Sequence, residues 1–318
     1  MSDSHSSILV GGTVAIDHVK TPEAEGVDLL GGSAAYAALA GSFFCDDVRL
    51  VGIVGRDFPS QHLAMLESRG VSLQGVERSE GESFTWSGEY LENLNERVTH
   101  KVGLNVLEGW EVKVPTEISD SPIVVLANMS PDNQLQMLSQ CAHPNRFVIA
   151  DTMDLWISIA NERLHEVLEK LDLFVINESE AREFAGTANL VEAGRILLKK
   201  GPKFVVVKLG EFGAMLFSQE GSEESFPCAE SFFRCAAFPL RGISDPTGAG
   251  DSFLGGLAGY LASHAGGDYS FKNLRTAVAH GSVVASFTCE AFSTRRLEEI
   301  DSSDVKARLE SFRAMTSW

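Results

Sequence analysis

Short apolar runs alternate with helix-spaced stretches along most of the chain, and that rhythm predicts a βαβ protein built on a parallel sheet. Ser7-Ile8-Leu9-Val10-Gly11 reads as a buried strand. Ala34–Phe44, rich in Ala and Leu and opened by Gly31-Gly32-Ser33, reads as a helix. Val48–Val54 reads as the next strand, and Ser60–Arg69 as a helix stopped by Gly70. After Trp110 the rhythm returns. Strands are expected at Pro122–Ala127, Arg146–Ala150, Leu173–Ile176, Phe204–Lys208, Ala214–Phe217 and Phe232–Ala237. Helices are expected at Asn133–Cys141, Asp154–Leu171, Ser179–Ala185 and Leu190–Lys200, and from Ala249 onward the chain is mostly helical. The polar run Gln219–Ser225 reads as a hairpin tip.

One segment departs from this rhythm. Phe84–Tyr90 and Glu96–Val102 alternate with period two around Asn93 and Asn95. That is the pattern of an antiparallel hairpin with one wet face, not of a core parallel strand. No linker divides the chain, so one α/β domain of residues 1–318 with a small β appendage is expected.

Composition narrows the function. The chain has 318 residues with 26 Lys and Arg against 44 Asp and Glu, a formal charge of −18. Nucleic-acid and anionic-membrane surfaces need clustered Lys and Arg, so neither is an expected partner. No apolar run reaches the ~20 residues that span a bilayer. The polar start, Met1–Ser7, lacks the basic region of a signal peptide, which points to the cytoplasm. Cys45, Cys141, Cys228, Cys235 and Cys289 are scattered without metal spacing and read as reduced thiols. With so acidic a chain, any phosphate must be held by local devices: backbone N–H groups, a helix N-terminus or a metal ion.

Ser244-Asp245-Pro246-Thr247-Gly248-Ala249-Gly250-Asp251 offers such a device. It is a small-residue loop running into an apolar helix. Gly248, Ala249 and Gly250 can present consecutive N–H groups at the helix N-terminus, where the macrodipole also favours an anion. Asp251 in the first turn fits two roles: a helix cap, or a general base beside the anion. The loop is not a Walker A sequence, and Gly11-Gly12-Thr13-Val14-Ala15 lacks the fingerprint of a dinucleotide-binding strand.

At these residues the chain resembles the PfkB/ribokinase family of sugar and nucleoside kinases. Residues 245–251 match that family's Asp-Thr-x-Gly-Ala-Gly-Asp signature, with Pro246 in place of Thr. Gly31-Gly32-Ser33 matches its di-glycine motif. Gly52-Ile53-Val54-Gly55-Arg56-Asp57 matches Gly-x-Val-Gly-x-Asp, Asn177–Glu180 matches Asn-x-x-Glu, and Lys208–Gly213 is similar to Thr-Leu-Gly-x-x-Gly. The resemblance implies a ribokinase-like three-layer α/β/α sandwich with a mostly parallel sheet. It also implies a β lid, from segments at about 13–30 and 82–106. It implies an ATP-dependent kinase acting on an alcohol of a sugar, nucleoside or cyclic polyol, with dimerisation through the lid in many relatives.

By the same resemblance Asp251 is the base, and Gly248, Ala249 and Gly250 form the anion hole. Asp17 grips acceptor hydroxyls, Gly31 and Gly32 form the lid hinge, and Ser33 begins the following helix. Asn177 and Glu180 organise Mg²⁺ near the ATP phosphates, although the pair also fits an N-cap with its capping-box glutamate. Gly210 and Gly213 let the nucleotide approach the backbone, and Asp245 is the residue expected to place a monovalent cation such as K⁺.

Three further positions depart from the family pattern. Tyr36 stands where the family often has an Asn on sugar hydroxyls; a phenol can stack on a ring or simply pack. Lys208 stands where Thr is common and can reach an ATP phosphate or extend to solvent. His280 aligns loosely with an Asn near the adenine in relatives, and a lone His in a small-residue helix also fits a structural role. The aromatic stretch Phe84–Tyr90 suits a base or a sugar face. A catalytically silent binder with the same fold is the alternative function; it would show decay at the anion hole and Asp251, and both are intact.

Overall fold

The computed structural model describes residues 6–94, 96–220, 226–264 and 266–317. Among them thirteen strands form two sheets. The first comprises β1 (Ile8–Gly11), β4 (Val48–Val54), β5 (Val71–Arg78), β8 (Ile123–Leu126), β9 (Phe147–Asp151), β10 (Leu173–Asn177), β11 (Phe204–Lys208), β12 (Ala214–Ser218) and β13 (Phe232–Cys235). The second comprises β2 (Ala15–Lys20), β3 (Glu25–Gly31), β6 (Thr85–Tyr90) and β7 (Arg97–Gly103).

The large sheet has the order β13-β12-β11-β10-β9-β8-β1-β4-β5. It is parallel from β5 to β11, and at the other edge β12 runs antiparallel to both β11 and β13. These parallel strands are apolar on both faces because helices cover both. Alternate side chains divide between two cores. Ile8, Val10, Val125, Ile149 and Val206 face α1 (Ser33–Gly41), α8 (Ala249–His264) and α9 (Phe271–Thr288). Leu9, Val124, Val148, Phe174 and Val205 face the other layer. That layer includes α3 (Pro131–Gln140), α5 (Asn161–Leu168), α6 (Glu178–Ala185) and α7 (Leu190–Leu198). The remaining helices are α2 (Ser60–Ser68), α4 (Asp154–Ile159), α10 (Arg295–Glu299) and α11 (Ser302–Thr316). No helix among the described residues is long and apolar enough to cross a membrane.

From β1 the chain goes first to β4 and β5 on one side, then to β8 and onward on the other. The strand order therefore switches beside β1, and the crevice at the carboxyl ends of β1 and β8 is where an open α/β sheet takes its ligands. The small sheet, ordered β3-β2-β6-β7, grows from these same ends. Its strands lie within the expected lid segments, and β6 and β7 form the expected antiparallel hairpin.

Some local expectations need correction. The single helix expected at Asp154–Leu171 is two helices, broken at Ala160 (φ −132°), after which α5 turns its own apolar face to the core. Strand β5 was not anticipated. It is an edge strand, and its pairing with β4 slips between Arg49 and Val51, so the two-residue pattern is blurred. Residues 221–225 of the expected hairpin tip lie outside the described residues.

Candidate active site

The loop before α8 turns at Gly248, whose φ of 76° suits the third position of a type II turn. Ala249 N–H points back to the Pro246 carbonyl at 3.2 Å, so one of the three expected anion donors is engaged within this turn. The first-turn N–H groups that follow end the helix dipole on the crevice. A Cβ on Gly248 would lie 2.4 Å from the Tyr36 ring. Tyr36 is therefore the floor of this loop, fully buried, and not a surface on which a ligand can stack. Burial, then Asp245, Asp17 and Asp251, push its hydroxyl well above the ordinary phenol range.

Asp251 sits in the first turn of α8, half-buried. Burial raises its pKa, while the Lys208 and Arg97 charges oppose that shift. Lys208 ends β11, and its Nζ is 2.9 Å from where a Cβ on Gly250 would stand. The lysine thus points into the loop and not to solvent. Its charge also acts on Asp151 and Glu180, both raised mainly by burial. Arg97 begins β7, opposite Tyr90 of β6, so the lid brings a second cation toward Asp251 and Glu180.

Across the crevice Asp17 projects from β2. It is buried, and Oδ1 has no hydrogen-bond partner. Burial, then the charges of Asp245 and Asp251, push this carboxyl up to about 8. Gly31 makes the room for it: a Cβ there would lie 2.1 Å from the Asp17 carboxyl carbon. Next to the glycine pair, Ser33 N–H donates to Thr13 Oγ1 at 2.9 Å and Ser33 Oγ to the Asn128 carbonyl at 2.9 Å. The start of α1 is thereby tied to the ends of β1 and β8. The Gly55–Asp57 turn ties the lid from the other side, since Asp57 Oδ1 accepts from both N–H and Oγ of Ser83 at 2.7 Å.

Asn177 and Glu180 form a capping box on α6: Glu180 N–H donates to Asn177 Oδ1 at 2.9 Å and Asn177 N–H to Glu180 Oε2 at 3.0 Å. Gly210–Phe212 is a 3-10 turn leading to Gly213, which packs on the β13 backbone at Cys235. Asp245 is buried and accepts N–H bonds from Thr247 (2.9 Å) and Ser293 (3.1 Å). His280 is on α9. Its ring packs against Tyr260 and Phe44, with centroids at 4.2 and 5.3 Å, and burial pushes it down to about 4. These ring contacts are those of the structural role also open to His280.

Several site residues were missed from sequence. Asp151 ends β9; it is buried with Oδ1 unpartnered, as is the neighbouring Thr152 Oγ1. A carboxylate closing an otherwise apolar parallel strand was the available signal. Arg97 and Ser293 carried none. Trp86 was seen only as part of an aromatic stretch. The β2–β6 register sets it directly opposite Asp17, on the same face of the lid.

Comparison with known proteins gives concordant findings. The pfkB family carbohydrate kinase profile matches residues 8–300. A cytidine kinase of Thermococcus kodakarensis is 30% identical over 259 residues, covering 80% of this chain and 88% of that protein. A nucleoside kinase of Thermoplasma acidophilum is 25% identical, covering 90% and 86%. Among solved structures, a ribokinase of Giardia lamblia superposes with TM-score 0.79 at 18% identity, covering 97% and 100%. The Burkholderia thailandensis nucleoside kinase in complex with inosine gives 0.77 at 19% identity, covering 96% and 98%.

Proposed function

Since the chain belongs to the pfkB family of carbohydrate kinases and transfers phosphoryl groups from ATP to an alcohol, we propose that its acceptor is a nucleoside. The observation that carries this choice is Trp86 beside Asp17 on one face of the lid. A carboxylate suits ribose hydroxyls and an indole suits a flat base. The cytidine kinase relative, matched over 88% of its length, supports the same acceptor class. The test is ADP release with Mg-ATP across a panel of nucleosides, free pentoses, hexoses and inositols. Nucleosides are expected to give the highest kcat/KM; a free sugar or an inositol ahead of every nucleoside would overturn the assignment.

In this mechanism Asp251 takes the proton of the acceptor hydroxyl as its oxygen bonds to the γ-phosphorus. The bond from that phosphorus to the bridging oxygen breaks, and ADP leaves with the electron pair. A raised pKa suits Asp251 to this task, because a stronger base accepts the proton more readily. The α8 N-terminus and Lys208 stabilise charge on the transferred group, which is most of what phosphoryl transfer requires. Gly210 and Gly213 border the nucleotide.

The residues present fit a Mg²⁺ ion. Asp151 Oδ1 is buried and unpartnered, and the Glu180 charge adds to the burial that raises its pKa. Among the described residues no three His, Cys, Asp or Glu side chains could hold a metal by themselves. Asp151 and Glu180 would hold it together with phosphate and water, as is usual for Mg²⁺. The ion would supply charge neutralisation on the phosphates. Asp245 offers no comparable sign of a monovalent cation, because both its oxygens already accept backbone N–H groups.

A homodimer through the lid belongs to the same proposal. Edge strand β7 exposes Val98 and Val102, 45% and 50% accessible. Light scattering is expected to give twice the monomer mass, and Val98→Lys to shift it toward the monomer. A monomeric wild-type protein would remove the contact.

A further inference from the structure

A strap between α9 and α10 touches both halves of the site without belonging to either. Its anchor, Ser293, is buried and has φ 55°, a conformation that residues with side chains seldom adopt. Ser293 N–H donates to Asp245 Oδ2 at 3.1 Å, and Ser293 Oγ donates to the Leu30 carbonyl at 2.5 Å. Leu30 immediately precedes the Gly31-Gly32 pair at the base of the lid. Asp245 braces the loop before α8 through its second oxygen, which accepts Thr247 N–H.

The neighbouring contacts extend this link in both directions. Phe292 packs against the lid's own small core of Val19, Leu29 and Tyr90, and a Cβ on Gly26 would meet its ring at 3.1 Å. Toward the phosphate side, Ser244 N–H donates to the Cys289 carbonyl at 2.9 Å, and Ser244 Oγ to the Glu290 carbonyl at 3.0 Å. The strap therefore holds the loop before α8 at Ser244 and Asp245, and holds the lid at Leu30 and through Phe292. The left-handed turn at Ser293 lets two successive residues serve opposite partners.

We propose that Phe292 and Ser293 are positioning residues that couple the lid to the anion-hole loop. Occupancy of the loop by nucleotide is transmitted through Asp245 and Ser293 to β3, and lid position is returned by the same route. The proposal rests on residues 245–251 being the phosphate site. A coupling carried by one buried hydrogen bond and one ring is broken by removing either.

Hydrogen exchange of the full chain, with and without Mg²⁺ and a non-hydrolysable ATP analogue, tests this without any acceptor. In the wild type the analogue is expected to slow exchange both at 246–252 and at 26–32. In Phe292→Ala and Ser293→Ala the first effect should persist and the second should fall by at least ~5-fold, the equivalent of one net hydrogen bond. Ser293→Gly accepts the positive φ and also lacks Oγ, so it provides the same test if the alanine variant does not fold. Protection at 26–32 that is unchanged in all three variants would overturn the coupling. Protection at 246–252 without any at 26–32 in the wild type would do the same. If 246–252 gains none in the wild type, the phosphate-site reading fails and takes the coupling with it.

Discussion

Asp251→Asn is expected to fold normally and to lose at least ~100-fold in kcat, the scale of general-base catalysis. The amide keeps the shape of the side chain and its place in the first turn of α8, but it cannot accept the acceptor's proton. The carboxylate is held above its ordinary pKa by burial, against the pull of Lys208 and Arg97. In the wild type, kcat should therefore decline toward acid pH as Asp251 protonates, and this acid limb should be absent from the residual activity of the variant. ATP binding should be little changed, because the anion-hole backbone remains. Near-normal turnover in Asp251→Asn would remove the proposed base.

Asp17→Asn is expected to separate stability from function. In the ligand-free protein the Asp17 carboxyl is pushed up to about 8 from 3.8, mainly by burial and further by Asp245 and Asp251. Between those two pH values the native state holds a proton that the unfolded chain has released. Stability therefore falls as pH rises through this window. An amide carries no such penalty. The variant should melt at least ~2 °C above the wild type near pH 8, with the gap closing toward pH 4. Above pH 8, where the wild-type carboxyl is ionised, its kcat/KM for the acceptor should fall by about tenfold to a hundredfold, the cost of losing a charged hydrogen bond to a hydroxyl. Thermal melts at the two pH values, paired with steady-state kinetics, check both halves. A variant less stable than the wild type at pH 8 would contradict the burial penalty.

The sandwich was legible in sequence because its parallel strands are apolar on both faces, and β11 falls at Phe204–Lys208 as expected. The lid hairpin was legible for the opposite reason, its strict alternation. Edge strand β5 was not legible, because a slip in pairing weakens its period. The helix break at Ala160 depends on backbone geometry that has no marker residue.

In the candidate site, the glycines and Asp251 were visible because a backbone anion site needs small residues at fixed spacing. Residues that act through tertiary proximity were not. Asp151 reaches the centre from the end of β9, Arg97 from the lid, and Ser293 from a loop far along the chain. Tyr36 was visible, but its two readings separated only once Gly248 was found on its ring. His280 was read by position along a helix, and the helix turns that side chain toward Tyr260. The charge of −18 is also clearer. The acidic surface needs no basic field, because Lys208 and Arg97 supply positive charge at the carboxylates themselves.

The most direct test follows phosphorus in a reaction of the wild-type protein with Mg-ATP and the nucleoside that turns over fastest. By ³¹P NMR, a nucleoside phosphomonoester should appear one for one with ADP, and Asp251→Asn should suppress both together. ADP accompanied by inorganic phosphate alone, or no consumption of ATP with any nucleoside, would contradict direct transfer to a nucleoside hydroxyl.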